Sequence, residues 1–481
     1  MKTIPNHIDG AWVDASGSES LPLTDPATGE LLAQVPLSTR ADVGLAIDAA
    51  SRAFPDWRAT PPVERARVLF RLKTLLEENL EELAVSLTRE HGKNVAESRG
   101  EVRRGIENIE HACGIPTLMM GTTLEDVAPG IDCETIRQPL GVFAGITPYN
   151  FPVMVPMWFW PYAVATGNTF VLKPSEQDAL THQRVVELAV EAGLPRGVLN
   201  IVHGQQEAAV ALLEHPDIKG VSFVGSSSVA KSVYAKGAEN GKRVQALGGA
   251  KNHMVVLPDA NYELATEAIV SSVFASAGQR CLAGSIIVAA GDAYEPMREQ
   301  ILDRASSLRL GYGLEEGVDL GPVISAAHRE RVVGYIDQGT REGATLLLDG
   351  RDAAVHDYPD GHWLGPTIFD KVGPDMSIGR EEIFGPVAGI THVASLEAAI
   401  ELMHRNHYGN ATSIFTTSGR AAREFRYHAG ISMIGVNVGV AAPMAFFPFG
   451  GTRGSFYGDL KAQGQDAIDF YTDKRVVISR W

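Results

Sequence analysis

Cys281 ends the run Ser276-Ala277-Gly278-Gln279-Arg280-Cys281, and Asn150 stands far upstream in Pro148-Tyr149-Asn150-Phe151-Pro152. A thiolate adds readily to a carbonyl carbon. The oxygen then gains charge, which a positioned amide N–H stabilises. A thiol and an amide in one chain therefore outline acyl chemistry through a covalent intermediate. A cysteine alone carries less weight, because a free thiol most often fills a core as a small hydrophobe. Cys113, on an apolar helical stripe, and Cys133, in a strand-like stretch, read that way.

Two further segments suit a nucleotide. Thr169-Phe170-Val171-Leu172 predicts a strand that ends in Lys173-Pro174-Ser175-Glu176. Polar residues at the carboxyl end of a parallel strand lie where such sheets bind nucleotides, and a carboxylate there repels a 2′-phosphate. Phe223-Val224-Gly225-Ser226 leads from a strand into a helix. Gly225 lets the backbone approach a phosphate, and the helix N-terminus favours the anion. No Gly-x-Gly-x-x-Gly fingerprint is present.

These residues need elements to hold them. Leucines and valines at helical spacing predict one long helix over Pro62 to His91, stopped by Gly92. A second is predicted over Val95 to Cys113, with Val102, Ile106, Ile109 and Cys113 on one stripe that points away from Arg104. Short apolar runs then alternate with helical stretches from Gly141 to Leu257. That is the βαβ pattern of a mostly parallel α/β sheet with helices on both faces. A second α/β block follows Cys281, with strands at Thr345 to Leu348, Val387 to Val393 and Thr412 to Thr416. The last segment, Ala467 to Ser479, reads as a strand leaving the body.

Composition narrows the partners. A chain of 481 residues is too long for one ordinary core, so two domains are expected. The net charge is −16 and no basic block stands out, which argues against nucleic acid or an anionic membrane. Three scattered cysteines fit a reducing compartment rather than a disulfide framework. Metal-binding Cys-x-x-Cys spacing is absent and no metal is expected. Met1 to His7 lacks a secretory or transit pattern, so a cytoplasmic location is expected. The apolar run Val153 to Val164 is broken by Pro156 and Pro161 and is too short to cross a bilayer.

Taken in order, six segments resemble the aldehyde dehydrogenases over nearly the full chain: 146–152, 168–176, 249–253, 279–281, 382–387 and 442–449. Within that superfamily the chain resembles the methylmalonate- and malonate-semialdehyde dehydrogenases, which acylate coenzyme A. The resemblance implies a Rossmann-type NAD-binding domain over 1–120 and 140–250, and an α/β catalytic domain over 251–445. An oligomerisation arm over 121–139 and 462–481 would serve a homotetramer or homodimer. It assigns Cys281 as nucleophile and Asn150 as oxyanion donor. It gives Lys173 and Glu176 to the adenosine ribose, Glu382 to the nicotinamide ribose, and Phe151, Gly225 and Ser226 to further cofactor contacts. Arg104 and Arg280 match arginines that bind the substrate carboxylate, a task suited to a planar guanidinium.

One departure bears on the reaction. Hydrolytic members carry Glu-Leu-Gly-Gly-Lys, whose Glu activates water. Anchored on Lys251, that Glu position is Leu247, and in the alternative register it is Ala246. No carboxylate is offered as a general base in either register. A thiolate such as coenzyme A needs no such base, so transthioesterification is the expected exit. The implied reaction oxidises malonate or methylmalonate semialdehyde, with loss of CO2, to acetyl-CoA or propionyl-CoA. The rivals are a hydrolytic member, disfavoured by the missing Glu, and a silent binding protein, disfavoured by the retained Cys281, Asn150, Lys173 and Glu382.

Overall fold

The computed structural model describes residues 3–481. Met1 and Lys2, part of the amino-terminal stretch read for a leader, lie outside the described residues. Two large sheets organise the chain. The first has eight strands, and its five central ones are parallel. Their spatial order is Leu199–Ile201, Thr169–Lys173, Val142–Ile146, Ile218–Val224 and Arg243–Leu247. The third, first and fifth strands in sequence are thus arranged around a reversal of direction beside Val142–Ile146. Such a switch point opens a crevice at the carboxyl ends of the strands, where nucleotides bind. Asn6–Ile8 and Ala11–Val13 extend one edge, and Phe456–Tyr457 closes the other.

The second sheet has seven strands, all parallel except the edge pair Thr345–Leu348 and Thr367–Asp370. Gly284–Ala290 lies near its centre, between Val387–Val393 and Asn252–Val256. Both central strands are apolar and almost wholly buried, as expected of strands covered on both faces. Cys281 enters this sheet just before Gly284, at the amino end of the strand.

The helical periodicities hold with one correction. The Pro62 to His91 stretch is two helices, Pro62–Glu78 and Leu80–His91, separated at Asn79. The Asn79 side chain donates to the Leu75 carbonyl at 2.7 Å, one of the local bonds by which asparagine competes with helix. Val95–Cys113 is one helix, opened by a reciprocal capping box between Asn94 and Glu97. Its stripe of Val102, Ile106, Ile109 and Cys113 is buried.

The carboxyl-terminal reading is also corrected. Gly464–Tyr471 is a helix whose apolar face joins the core of the first sheet, and only Thr472–Arg480 is a strand. That strand pairs antiparallel with Ile131–Pro139, which pairs in turn with Thr123–Ala128. Val476, Ile478 and Leu124 project from this three-stranded arm and are exposed. Among the described residues, no helix is long and apolar enough to cross a membrane.

Candidate active site

A cleft of about 1080 Å³ follows the carboxyl ends of the first sheet. Its walls bring together Lys173, Glu176, Gly225, Ser226, Glu382, Asn150, Phe151 and Cys281. Lys173 ends its strand buried, with Nζ donating to the Pro174 and Gly204 carbonyls at 2.9 and 2.6 Å. The same Nζ lies 3.3 Å from Glu176 Oε2. Burial lowers the Lys173 pKa, and Glu176 opposes the shift. Ser226 is the N-cap of the Ser227–Glu239 helix and makes no side-chain capping bond. The helix therefore presents backbone N–H groups and its positive end to the cleft, which suits a phosphate.

Glu382 enters from the other side and accepts from the Ala250 N–H at 3.0 Å. Burial pushes its carboxyl up to about 7, opposed by that N–H and by Arg331 and Lys251. Gly249 makes this placement possible, since a Cβ there would sit 2.3 Å from Glu382 Oε2.

The nucleophile loop is backbone-strained and clamped. Ser276, Ala277 and Gly278 take consecutive positive φ values of 51°, 52° and 70°. At Gly278 a Cβ would meet the Gly385 carbonyl at 2.1 Å, so glycine is required by space as well as by φ. The Cys281 carbonyl accepts from two asparagine amides, Asn252 at 2.9 Å and Asn410 at 2.8 Å. Asn150 Nδ2 donates to the Gln279 carbonyl at 2.9 Å. An amide carries two N–H donors, so this bond fixes the amide and leaves one for an incoming oxygen. Burial pushes the Cys281 thiol up to about 12, with a further rise from the charge of Glu382.

A second cavity of about 300 Å³ meets the cleft at Phe151 and Cys281. Arg104 and Arg280 both line it, among Met154, Trp158, Leu282, Val440 and Phe449. Arg104 donates to Glu107 Oε2 at 2.7 Å and to the Pro443 carbonyl at 2.5 Å. Arg280 Nη2 donates to the Ser271 and Ser272 carbonyls, each at 2.8 Å, and so closes the Tyr262–Phe274 helix. Its Nε is buried without a hydrogen-bond partner. The structure thus gathers every residue the sequence singled out around two joined cavities.

Leu247 is placed differently from the expectation. Its side chain is buried in the apolar core of the first sheet, and Gly248 and Gly249 line the cleft instead. Sequence reasoning also missed a buried pair. Lys93 Nζ donates to Glu101 Oε2 at 2.6 Å and to the Asn150 carbonyl at 2.7 Å. Both side chains are fully enclosed. The available signal was Glu101 next to Val102 on the apolar side of its helix, a place where a solvated acid does not belong.

Comparison with known proteins agrees with this layout. The sequence model of the Aldehyde dehydrogenase family matches residues 12–477. The chain is 51% identical to a malonate-semialdehyde dehydrogenase 2 of Geobacillus kaustophilus over 100% of this chain and 99% of the relative. A methylmalonate-semialdehyde dehydrogenase of Oceanimonas doudoroffii has a solved structure that superposes with a TM-score of 0.98 at 45% identity, covering 100% and 99% of the two chains. A Sinorhizobium meliloti 1021 protein bearing the provisional name methylmalonate-semialdehyde dehydrogenase, solved with NAD, gives 0.99 at 43% identity, covering 100% and 98%. The chain belongs to the aldehyde dehydrogenase family and has its fold.

The charge coupling between Glu382 and Cys281 yields a signed pH prediction. Glu382 ionises near pH 7, and its negative charge then opposes thiolate formation. Glu382→Gln should therefore speed alkylation of Cys281 by iodoacetamide, and the gain over wild type should grow as pH rises above about 7. Superimposable rate-against-pH curves for the two proteins would show that the groups are not coupled.

Proposed function

We propose that the protein is an NAD-dependent, coenzyme-A-acylating dehydrogenase of malonate or methylmalonate semialdehyde. The observation that carries the reading is the junction of the two cavities at Cys281. One side presents strand ends and a helix N-terminus suited to a dinucleotide. The other presents two guanidinium groups in an otherwise largely apolar chamber. Relatives named for these semialdehydes, about half identical over the whole chain, support the substrate class.

In this mechanism the semialdehyde carboxylate lies against Arg104 and Arg280, and the carbonyl faces the thiol. Lys173 and Glu176 would hold the adenosine ribose of NAD, the Ser227–Glu239 helix its phosphates, and Glu382 its nicotinamide ribose. Bound NAD supplies a hydride acceptor. Cys281 gives up its proton and attacks the carbonyl carbon. Asn150 Nδ2 and the Cys281 N–H donate to the oxyanion. Collapse of the tetrahedral centre expels hydride and leaves a thioester on Cys281.

Release then needs a nucleophile. No carboxylate is presented by the Gly248–Gly249 wall. The acids of the smaller cavity are already engaged. Glu97 accepts from the Ser276 and Asn94 N–H groups, and Glu101 from Val153 and Lys93. The coenzyme A thiolate attacks the thioester without a base and returns Cys281 as the thiolate. The β-carboxylate leaves as CO2, its bonding electrons entering the thioester carbonyl, and the resulting enolate takes a proton. The arm of Thr123–Ala128, Ile131–Pro139 and Thr472–Arg480, with Leu124, Val476 and Ile478 exposed, pairs with a second copy of the chain in a homotetramer or homodimer.

Three measurements test this reading. Without coenzyme A, wild type should give a burst of NADH and then a slow steady state, whereas Cys281→Ala should bind NAD and give no burst. Rapid turnover to free acid without coenzyme A would sink the acyl-transfer step. Arg104→Ala should lower kcat/KM for the semialdehyde by about ten- to a hundredfold, the value of a charge-assisted bond of roughly 1.5–3 kcal/mol, and spare propionaldehyde. Equal losses on both aldehydes would assign Arg104 to structure. Val476→Asp with Ile478→Asp should shift sedimentation velocity toward smaller species, and an unchanged profile would remove the arm from the assembly.

A further inference from the structure

Glu97 and Glu101 stand one turn apart on the Val95–Cys113 helix, and both border the smaller cavity. Each holds a different loop of the site. Glu97 accepts from the Ser276 N–H at 2.7 Å, at the first of the three left-handed residues that lead to Cys281. Its other oxygen accepts from the Asn94 N–H at 3.1 Å, so the capping box pins the carboxylate. Glu101 Oε1 accepts from the Val153 and Met154 N–H groups at 2.9 and 3.2 Å, just past Asn150. Its Oε2 receives Lys93, whose Nζ also donates to the Asn150 carbonyl.

These bonds share one rigid element. Four residues of α-helix rise about 6 Å and form about one turn, with little freedom to stretch. The turn at Ser276 and Ala277 is one that non-glycine residues keep only when neighbours over-determine it. The Ser276 N–H is held by Glu97, outside the loop itself. We infer that Glu97 and Glu101 are positioning residues, which use this helix as a gauge to set the nucleophile loop against the oxyanion-donor loop. The inference rests on the proposed roles of Cys281 and Asn150. It concerns the registration of those two groups rather than their identity.

The test is the stopped-flow NADH burst of the full-length protein with malonate semialdehyde. Misplacing a reacting group by about 1 Å can cost on the order of a hundredfold. Glu97→Ala should slow the burst by about that factor, with the semialdehyde KM nearly unchanged. Glu97→Gln keeps an oxygen acceptor for the Ser276 N–H and should restore a burst near wild type. In an Asn150→Ala background, adding Glu97→Ala should cost little more, because the donor to be aligned is gone. A wild-type burst in Glu97→Ala, equal losses in the Ala and Gln variants, or fully multiplicative losses in the double variant would each overturn the inference. If Glu97→Ala does not fold, Glu97→Asp takes its place with the same expected loss. It keeps the charge but is one methylene too short to reach Ser276, and a wild-type burst from it would likewise overturn the gauge. Cys281→Ala separates the two levels. A burst that survives Cys281→Ala removes the covalent reading, whereas its loss alongside wild-type bursts in the Glu97 variants removes the gauge alone.

Discussion

One hydrogen bond joins the halves of the site: Asn150 Nδ2 to the Gln279 carbonyl, at 2.9 Å. Asn150 follows a strand of the first sheet, and Gln279 precedes a strand of the second. Neither loop can place its reactive group alone. The bond fixes the amide plane, and the same main-chain segment two residues on carries the thiol. Around it the structure adds restraint on restraint. Two asparagine amides clamp the Cys281 carbonyl, and Gly278 packs against Gly385. A site built at the seam of two sheets depends on such cross-links, because each sheet is rigid within itself and free to shift against the other.

Burial sets the electrostatics of this seam. Cys281, Glu382 and Lys173 are each pushed toward their neutral forms, with loss of water the leading cause. A resting thiol held up near 12 is protected from stray electrophiles and needs help to ionise. The enclosed Lys93–Glu101 pair shows the opposite solution, two charges kept by mutual contact and by backbone partners. A buried ion pair is a poor source of net stability, since desolvation consumes much of the Coulomb gain. Its value here is directional. It holds the Asn150 carbonyl and the Val153 N–H in one place.

Much of the fold could be read from the chain. Alternating apolar runs and helical stretches located the strands of both sheets within a few residues, and the Val95–Cys113 helix was recovered in full. The failures have local causes. The break at Asn79 arises from a side-chain bond to its own helix, which periodicity does not register. The Gly464–Tyr471 helix looked like strand because Ile468, Phe470 and Tyr471 are apolar on any geometry, and their burial against the first sheet chose helix.

By itself the sequence determined the chemistry on offer: a thiol, an amide, strand-end Lys173 and Glu176, a carboxylate in Glu382 and two arginines. These follow from residue type and from short motifs, which are properties of contiguous chain. Only the tertiary structure decided who meets whom. It put Arg104 beside Arg280 in one chamber and turned Leu247 into the core. It made Gly248 and Gly249 the wall of the cleft. It also recruited Lys93, Glu97 and Glu101, which carry no motif. Their importance comes from burial and from contacts across long stretches of chain, and neither quantity exists until the two sheets have packed.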